Sequence, residues 1–310
     1  MTSLDTQGDF LRGAVDGHVH ACPHLNDRRL DALQAADQAD AAGMAGLGLM
    51  DNFSNSAVLA ALVRRARPNM PLDVFGGLIM EPPAGGLSPE AVKTALGSGY
   101  GPSQGARFIS LPTHHTQYVA RSEGRSPAHI EACLAIPAHG PLPDPLLKIC
   151  DLVAQADVVL NTGHLRADEA IRVVEAAVAA GIKRILAPAN AYEPNDVRAL
   201  VAAGATVELS FFFVSHATEA GLTHVDSETH TIPRVTAPQM AALALAAGPG
   251  KLVLSSDCGV FLLPPPVEGL RGLVLLLEAC GVPADILVPA ISETPAKLFN
   301  VTRNDPSEAV

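Results

Sequence analysis

The sequence predicts a single (β/α)8 TIM barrel spanning residues 1–310, with long loops after strands 3, 4 and 7. Three observations predict it. Eight short apolar runs alternate with Ala-rich helical stretches. Each run is apolar on successive positions, the pattern of a parallel strand covered on both faces. Histidines and an aspartate recur where such runs end, at the rim on which barrel sites are built. A doubly wound open sheet is the rival arrangement, but it usually has fewer strands, and no GxGxxG follows the first run.

The runs lie at 14–20, 45–51, 73–80, 107–112, 157–162, 184–188, 205–212 and 251–256. Helical patterns lie at 28–43, 55–67, 88–96, 144–155, 167–180, 195–203, 238–247 and 267–280. Asp168 and Glu169 complement the dipole at one helix start and Gly181 ends that helix; Pro194 and Gly204 bracket another. Residues 292–299 read as a short capped helix, with a frayed tail after Asn300. The long connections are 81–87 with 97–106, then 113–143, then 213–237. Loops of that size inside a compact domain are usually functional or disordered.

Composition narrows the function classes. The hydrophobic fraction is 48% with 4% aromatic, which suits small aliphatic side chains packed on a buried sheet. The formal net charge of −11, without a run of Lys and Arg, argues against nucleic-acid binding. Five cysteines without a CxxC spacing argue against a disulfide framework and for a reducing cytoplasm. The N-terminus lacks the basic start and apolar run of a signal peptide, and no uncharged apolar stretch reaches about 18 residues, so no membrane span is expected. The expected partner is a small molecule, and homo-oligomerisation is left open.

Chemistry concentrates at the strand ends. The first strand ends Asp16-Gly17-His18-Val19-His20, and alternation along a strand projects His18 and His20 together. The fifth run is followed by Gly163-His164, and the eighth ends Ser255-Ser256-Asp257. A lone His or Asp at a strand end is often a cap or a satisfied core group. Three strands delivering His18, His20, His164 and Asp257 to one rim read better as ligands of a divalent metal. His114 and His115, directly after strand four, are candidates for proton transfer or substrate contact, with a surface loop pair as the bland alternative. Asn190 ends strand six and could position substrate or water. Arg166, Arg121 and Arg125 could hold an anionic group, although each alone reads as a surface arginine. His216, with His224 and His230, lies in the long loop after strand seven; His216 is taken as a substrate-side candidate. Glu208, inside a strand, could equally be paired structurally.

The order Asp16-Gly17-His18-Val19-His20, Gly163-His164, Ser256-Asp257, with the late Thr294-Pro295-Ala296-Lys297-Leu298-Phe299, resembles the amidohydrolase superfamily. Gly85-Gly86-Leu87-Ser88-Pro89 and Leu111-Pro112-Thr113-His114-His115 resemble a subgroup described only as metal-dependent hydrolases. The resemblance implies a barrel, a divalent metal and hydrolysis of amide, imide, lactone or phosphoester bonds. Many members carry a strand-four lysine and a strand-six histidine, which together support two metals. Here those strands read Arg107–Pro112 and Ile185–Asn190 and offer neither. One metal is therefore expected, zinc first, with Mn, Fe or Ni as alternatives.

The leading expectation is hydrolysis of a small amide, cyclic amide or imide, or lactone by metal-activated water, with Asp257 as proton acceptor. Non-oxidative decarboxylation or another lyase reaction of a small carboxylate is the enzymatic alternative. A non-catalytic ligand-binding barrel is the third reading.

Overall fold

All eight expected strands form, each slightly shorter than its apolar run. They are β1 (Val15–Val19), β2 (Gly46–Leu49), β3 (Asp73–Ile79), β4 (Phe108–Ser110), β5 (Val159–Asn161), β6 (Ile185–Pro188), β7 (Thr206–Ser210) and, after a small ribbon of β8 (Leu222–Thr223) and β9 (Thr229–His230), β10 (Leu252–Ser255). The computed structural model describes residues 10–101, 104–219, 222–223, 229–230 and 234–302. The barrel strands are parallel in the order β1-β2-β3-β4-β5-β6-β7-β10. The ring joins where His20 N donates to Cys258 O and Asp257 N donates to His18 O, both at 2.9 Å.

Two layers of core result. Inside the ring lie Val15, Phe75, Ile79, Phe108, Val159, Leu186 and Val253, closed from below by Leu298 and Phe299. Outside it, the helices lay alanine-rich stripes such as Ala32, Ala35, Ala36 and Ala39 on the sheet, and small side chains let helix and sheet approach closely. The expected helices appear within a few residues of their patterns. Short helices at Gln117–Ser122 and Pro127–Ala132 occupy the loop expected at 113–143, and Ala284–Ile291 carries Pro289 inside it. These were not visible as periodic patterns because each is shorter than about three turns. The final helix, Glu293–Phe299, forms without its expected cap: the Ser292 hydroxyl donates to Val288 O at 2.7 Å instead. No helix among the described residues is long and apolar enough to cross a membrane.

Candidate metal centre at the barrel mouth

Simple alternation does not by itself aim β1. Val15 faces the inner core, and a Cβ on Gly17 would stand 2.4 Å from the Phe299 ring, so Gly17 faces inward too. The pairing then slips: Asp16 is opposite Leu47 but Val19 is opposite Leu49, leaving Gly17 and His18 together across from Gly48. This bulge turns the strand's phase, so that His18 and His20 share the mouth above Gly17. Their ring centroids lie 5.2 Å apart. Asp16 Oδ1 pins the bulge by accepting from His18 N at 3.2 Å and Ser256 N at 3.1 Å. Burial pushes the Asp16 carboxyl up to about 7 despite these bonds.

Asp257 completes the cluster from β10. Its backbone is left-handed, with φ of 50°, a region where aspartate is tolerated better than most residues. Its Oδ1 lies 3.3 Å from His18 Nε2 and 3.4 Å from His20 Nε2, and Ser210 Oγ donates to Oδ2 at 3.4 Å. One ligand atom from each of His18, His20 and Asp257 falls within 4.8 Å of the others.

The charges of the trio are coupled. Burial disfavours imidazolium at His18, but Asp257 and Glu208 outweigh it and raise His18 to about 9. Burial lowers His20, the hydrogen bond to Asp257 opposing it. Burial would raise Asp257, yet the charge of His18 and the bond from His20 hold it below its ordinary value.

The same geometry suits a cation. Glu208 Oε1 sits 3.0 Å from His18 Nδ1, and a proton on Nδ1 leaves the Nε2 lone pair facing the Asp257 oxygen. Two electron-rich atoms at that separation require a positive charge between them, either a proton or a metal. His20 Nδ1 is buried without a hydrogen-bond partner. Two imidazoles and a carboxylate form a donor set that fits zinc and its neighbours.

His164 stands beside this trio rather than within its tightest contacts. Gly163, at φ of 62°, lets the chain pass so close to strand four that a Cβ would be 2.3 Å from Pro112 O. His164 is lowered by burial, with the charge of Asp257 opposing. It lines a cavity of about 100 Å³ with Tyr118, Leu165, Asn190, Tyr192 and Phe213. Asn190 Oδ1 accepts from Ser210 N at 2.7 Å, tying strand six to the end of β7.

The remaining sequence candidates sort differently. His115 Nδ1 lies 2.8 Å from Glu81 Oε2, and the His114 and Thr113 amides donate to Glu81 Oε1 at 2.6 and 2.7 Å. Both histidines are thus organised around a buried carboxylate at the end of β3. Arg166 is held by Asp168, with Nη2 to Oδ2 at 2.7 Å, and its side chain is half exposed. Arg121 is exposed and donates to Gln117. Arg125 is buried in the strand-four loop and paired with Glu123 at 3.0 Å. Each of these three arginines has a local partner: Asp168, Gln117 and Glu123. The side chains of His216 and His230, and all of His224, lie outside the described residues.

Sequence reading passed over Glu81, His24, Arg28 and Asp51. Glu81 and Asp51 are each an acid directly after a buried apolar run, the same signal that marks Asp257. His24 and Arg28 sit in the loop after β1, where no periodicity points to them. His24 packs edge-on against His20 with centroids 6.0 Å apart, and its Nε2 is 3.5 Å from Asp51 Oδ1.

Comparison with known proteins agrees with this architecture. A family described as "Family of unknown function (DUF6282)" matches residues 13–208. No curated protein matches. Among solved structures, an amidohydrolase from Pseudomonas aeruginosa aligns over 96% of this chain and 98% of its own at 10% identity and a TM-score of 0.56. An amidohydrolase from Burkholderia multivorans with bound zinc aligns over 93% and 99% at 14% identity and a TM-score of 0.59. A mutant organophosphorus hydrolase from Deinococcus radiodurans aligns over 96% and 97% at 13% identity and a TM-score of 0.57. At these identities the likeness is one of fold, the barrel of the amidohydrolases.

Proposed function

The chain belongs to DUF6282, and we propose that it is a metal-dependent hydrolase that cleaves a small amide, cyclic amide or lactone. The observation that carries this reading is the convergence of His18 Nε2 and His20 Nε2 on one Asp257 oxygen, at 3.3 and 3.4 Å. His18, His20 and Asp257 would hold one divalent ion, zinc by donor chemistry, with His164 as the fourth ligand from the facing strand. An ion there supplies Lewis acidity to a carbonyl and acidifies water.

The chain's own groups do the rest. Glu208 fixes the His18 tautomer. Asp257, kept anionic by its neighbours, accepts the proton of the attacking water and returns it to the leaving group. Ser210 steadies the Asp257 oxygen that does not face the histidines. The cavity beside His164 shields an apolar part of the substrate from water.

Metal analysis together with turnover tests the proposal. Purified protein should carry one ion per chain, and chelation should abolish cleavage in a panel of lactones, cyclic amides and anilides, with zinc restoring it. His18→Asn and His20→Asn should each lose ion and turnover together. Full occupancy in both variants, or cleavage that survives removal of the ion, would refute it. Release of CO₂ in place of a hydrolysis product would assign the site to decarboxylation.

A further inference from the structure

Building on the hydrolase reading, we infer that Arg28 binds a carboxylate of the substrate, while an apolar group of the same molecule fills the cavity between Tyr118 and Phe213. Arg28 lies in the loop between β1 and the helix Ala32–Ala41, at the barrel mouth. Other arginines are matched with carboxylates: Arg67 with Asp37, Arg107 with Asp73, Arg166 with Asp168 and Arg184 with Asp157. Among the described residues, Arg28 has no such partner, and its Nε is buried without a hydrogen bond.

Among the described residues, its one side-chain hydrogen-bond contact does not satisfy it. Arg28 Nη2 is 3.2 Å from His24 Nε2, but the Asn26 amide donates to His24 Nδ1 at 3.0 Å. A neutral imidazole has one lone pair in its ring plane, so Nε2 carries the proton. Guanidinium N–H therefore meets imidazole N–H. Asp51 accepts from Phe53 N at 2.8 Å and Ser54 Oγ at 2.6 Å, and among the described residues no nitrogen of Arg28 lies within ion-pair distance of it. Arg28 is half-buried, and leaving its enclosed Nε without an acceptor is costly; a planar carboxylate is the acceptor its fork matches.

The cavity is placed for the other end of the molecule. β5 stands four strands from β1 in either direction around the ring, so His164, Leu165 and the cavity face the Arg28 loop across the mouth. The His18, His20 and Asp257 trio belongs to β1 and β10, beneath the Arg28 side of that span. An elongated substrate with an anionic end and a small hydrocarbon end would lie over the trio.

Calorimetric binding of 4-phenylbutyrate and its neutral amide to the metal-loaded protein tests this without requiring turnover. The acid should bind at least tenfold more tightly than the amide. Arg28→Met should remove that preference, leaving amide affinity and metal content unchanged, and Arg28→Lys should restore part of it. Phe213→Ala should weaken acid and amide alike. Equal binding of the two probes by the wild type would overturn the inference. So would an acid preference that survives in Arg28→Met, since the carboxylate would then sit on the ion. Both results are independent of whether any amide or lactone is cleaved, so failure of the hydrolase reading is separately visible.

Discussion

Glu208 reaches from the interior of β7 to hold His18 Nδ1 at 3.0 Å, two strands away around the ring. Ser255 Oγ donates to the same Glu208 oxygen at 2.6 Å, so the carboxylate is itself oriented. Glu208→Gln keeps the shape and loses the charge. The expected outcome is an ion bound about 10–100-fold more weakly, the usual cost of losing such an outer partner. Competition with a chromogenic chelator measures it, and unchanged affinity would reduce Glu208 to packing.

Asp257→Asn should separate binding from catalysis. The amide keeps an oxygen facing His18 and His20, so ion affinity falls modestly. Turnover should fall by about 10²–10⁴, the worth of a general base. Metal content must be measured on the sample used for kinetics. Near-normal turnover by a fully loaded variant would move the base to another group, His114, His115 or a histidine of the loop after β7.

Glu81 makes an acid-dependent contribution to stability. Burial opposes its charge, but bonds from His115, His114 and Thr113 outweigh burial and hold it below its ordinary 4.5. A carboxylate depressed in the folded state contributes fully above its unfolded value and loses that contribution as pH falls through the folded value. Urea midpoints should therefore drop below about pH 4.5 more steeply in wild type than in Glu81→Gln. The variant should also be weaker at pH 7 by about 1.5–3 kcal/mol, as expected for hydrogen bonds to a charged group. Parallel acid profiles for the two proteins would contradict this assignment.

Gly17→Ala should destabilise the barrel floor. The added methyl would come within 2.4 Å of Phe299 Cε2. Overpacking of this kind costs about 1–3 kcal/mol, and Phe299→Leu in the same chain should return part of it. Thermal unfolding of the single and double variants reads the coupling. Additive losses would mean that the ring and the glycine do not meet.

The barrel was legible because each of its eight strands is a buried apolar run, a signal that needs no tertiary knowledge. His18, His20 and Asp257 were legible because they end such runs. The bulge that aims the two histidines was not, since it depends on the register between Gly17-His18 and Gly48. Arg28 was hidden for a related reason. Arg166, two residues after His164, was a candidate by position, yet its side chain folds back onto Asp168 two residues on. Charged side chains on loops are placed by their partners, and partners distant in sequence leave no local trace.

The ring of Phe299 under Gly17 also has a temporal meaning. The strand that bears the first two histidines rests on a side chain made almost a full chain length later, and Asp257 is itself a late residue. A chain still leaving the ribosome has its histidines early, without the seat that supports them or the carboxylate that joins them. Contacts of such long sequence separation form late and slowly. Assembly of the His18, His20 and Asp257 cluster thus waits for the late strands, and an interrupted chain carries the motif without the cluster.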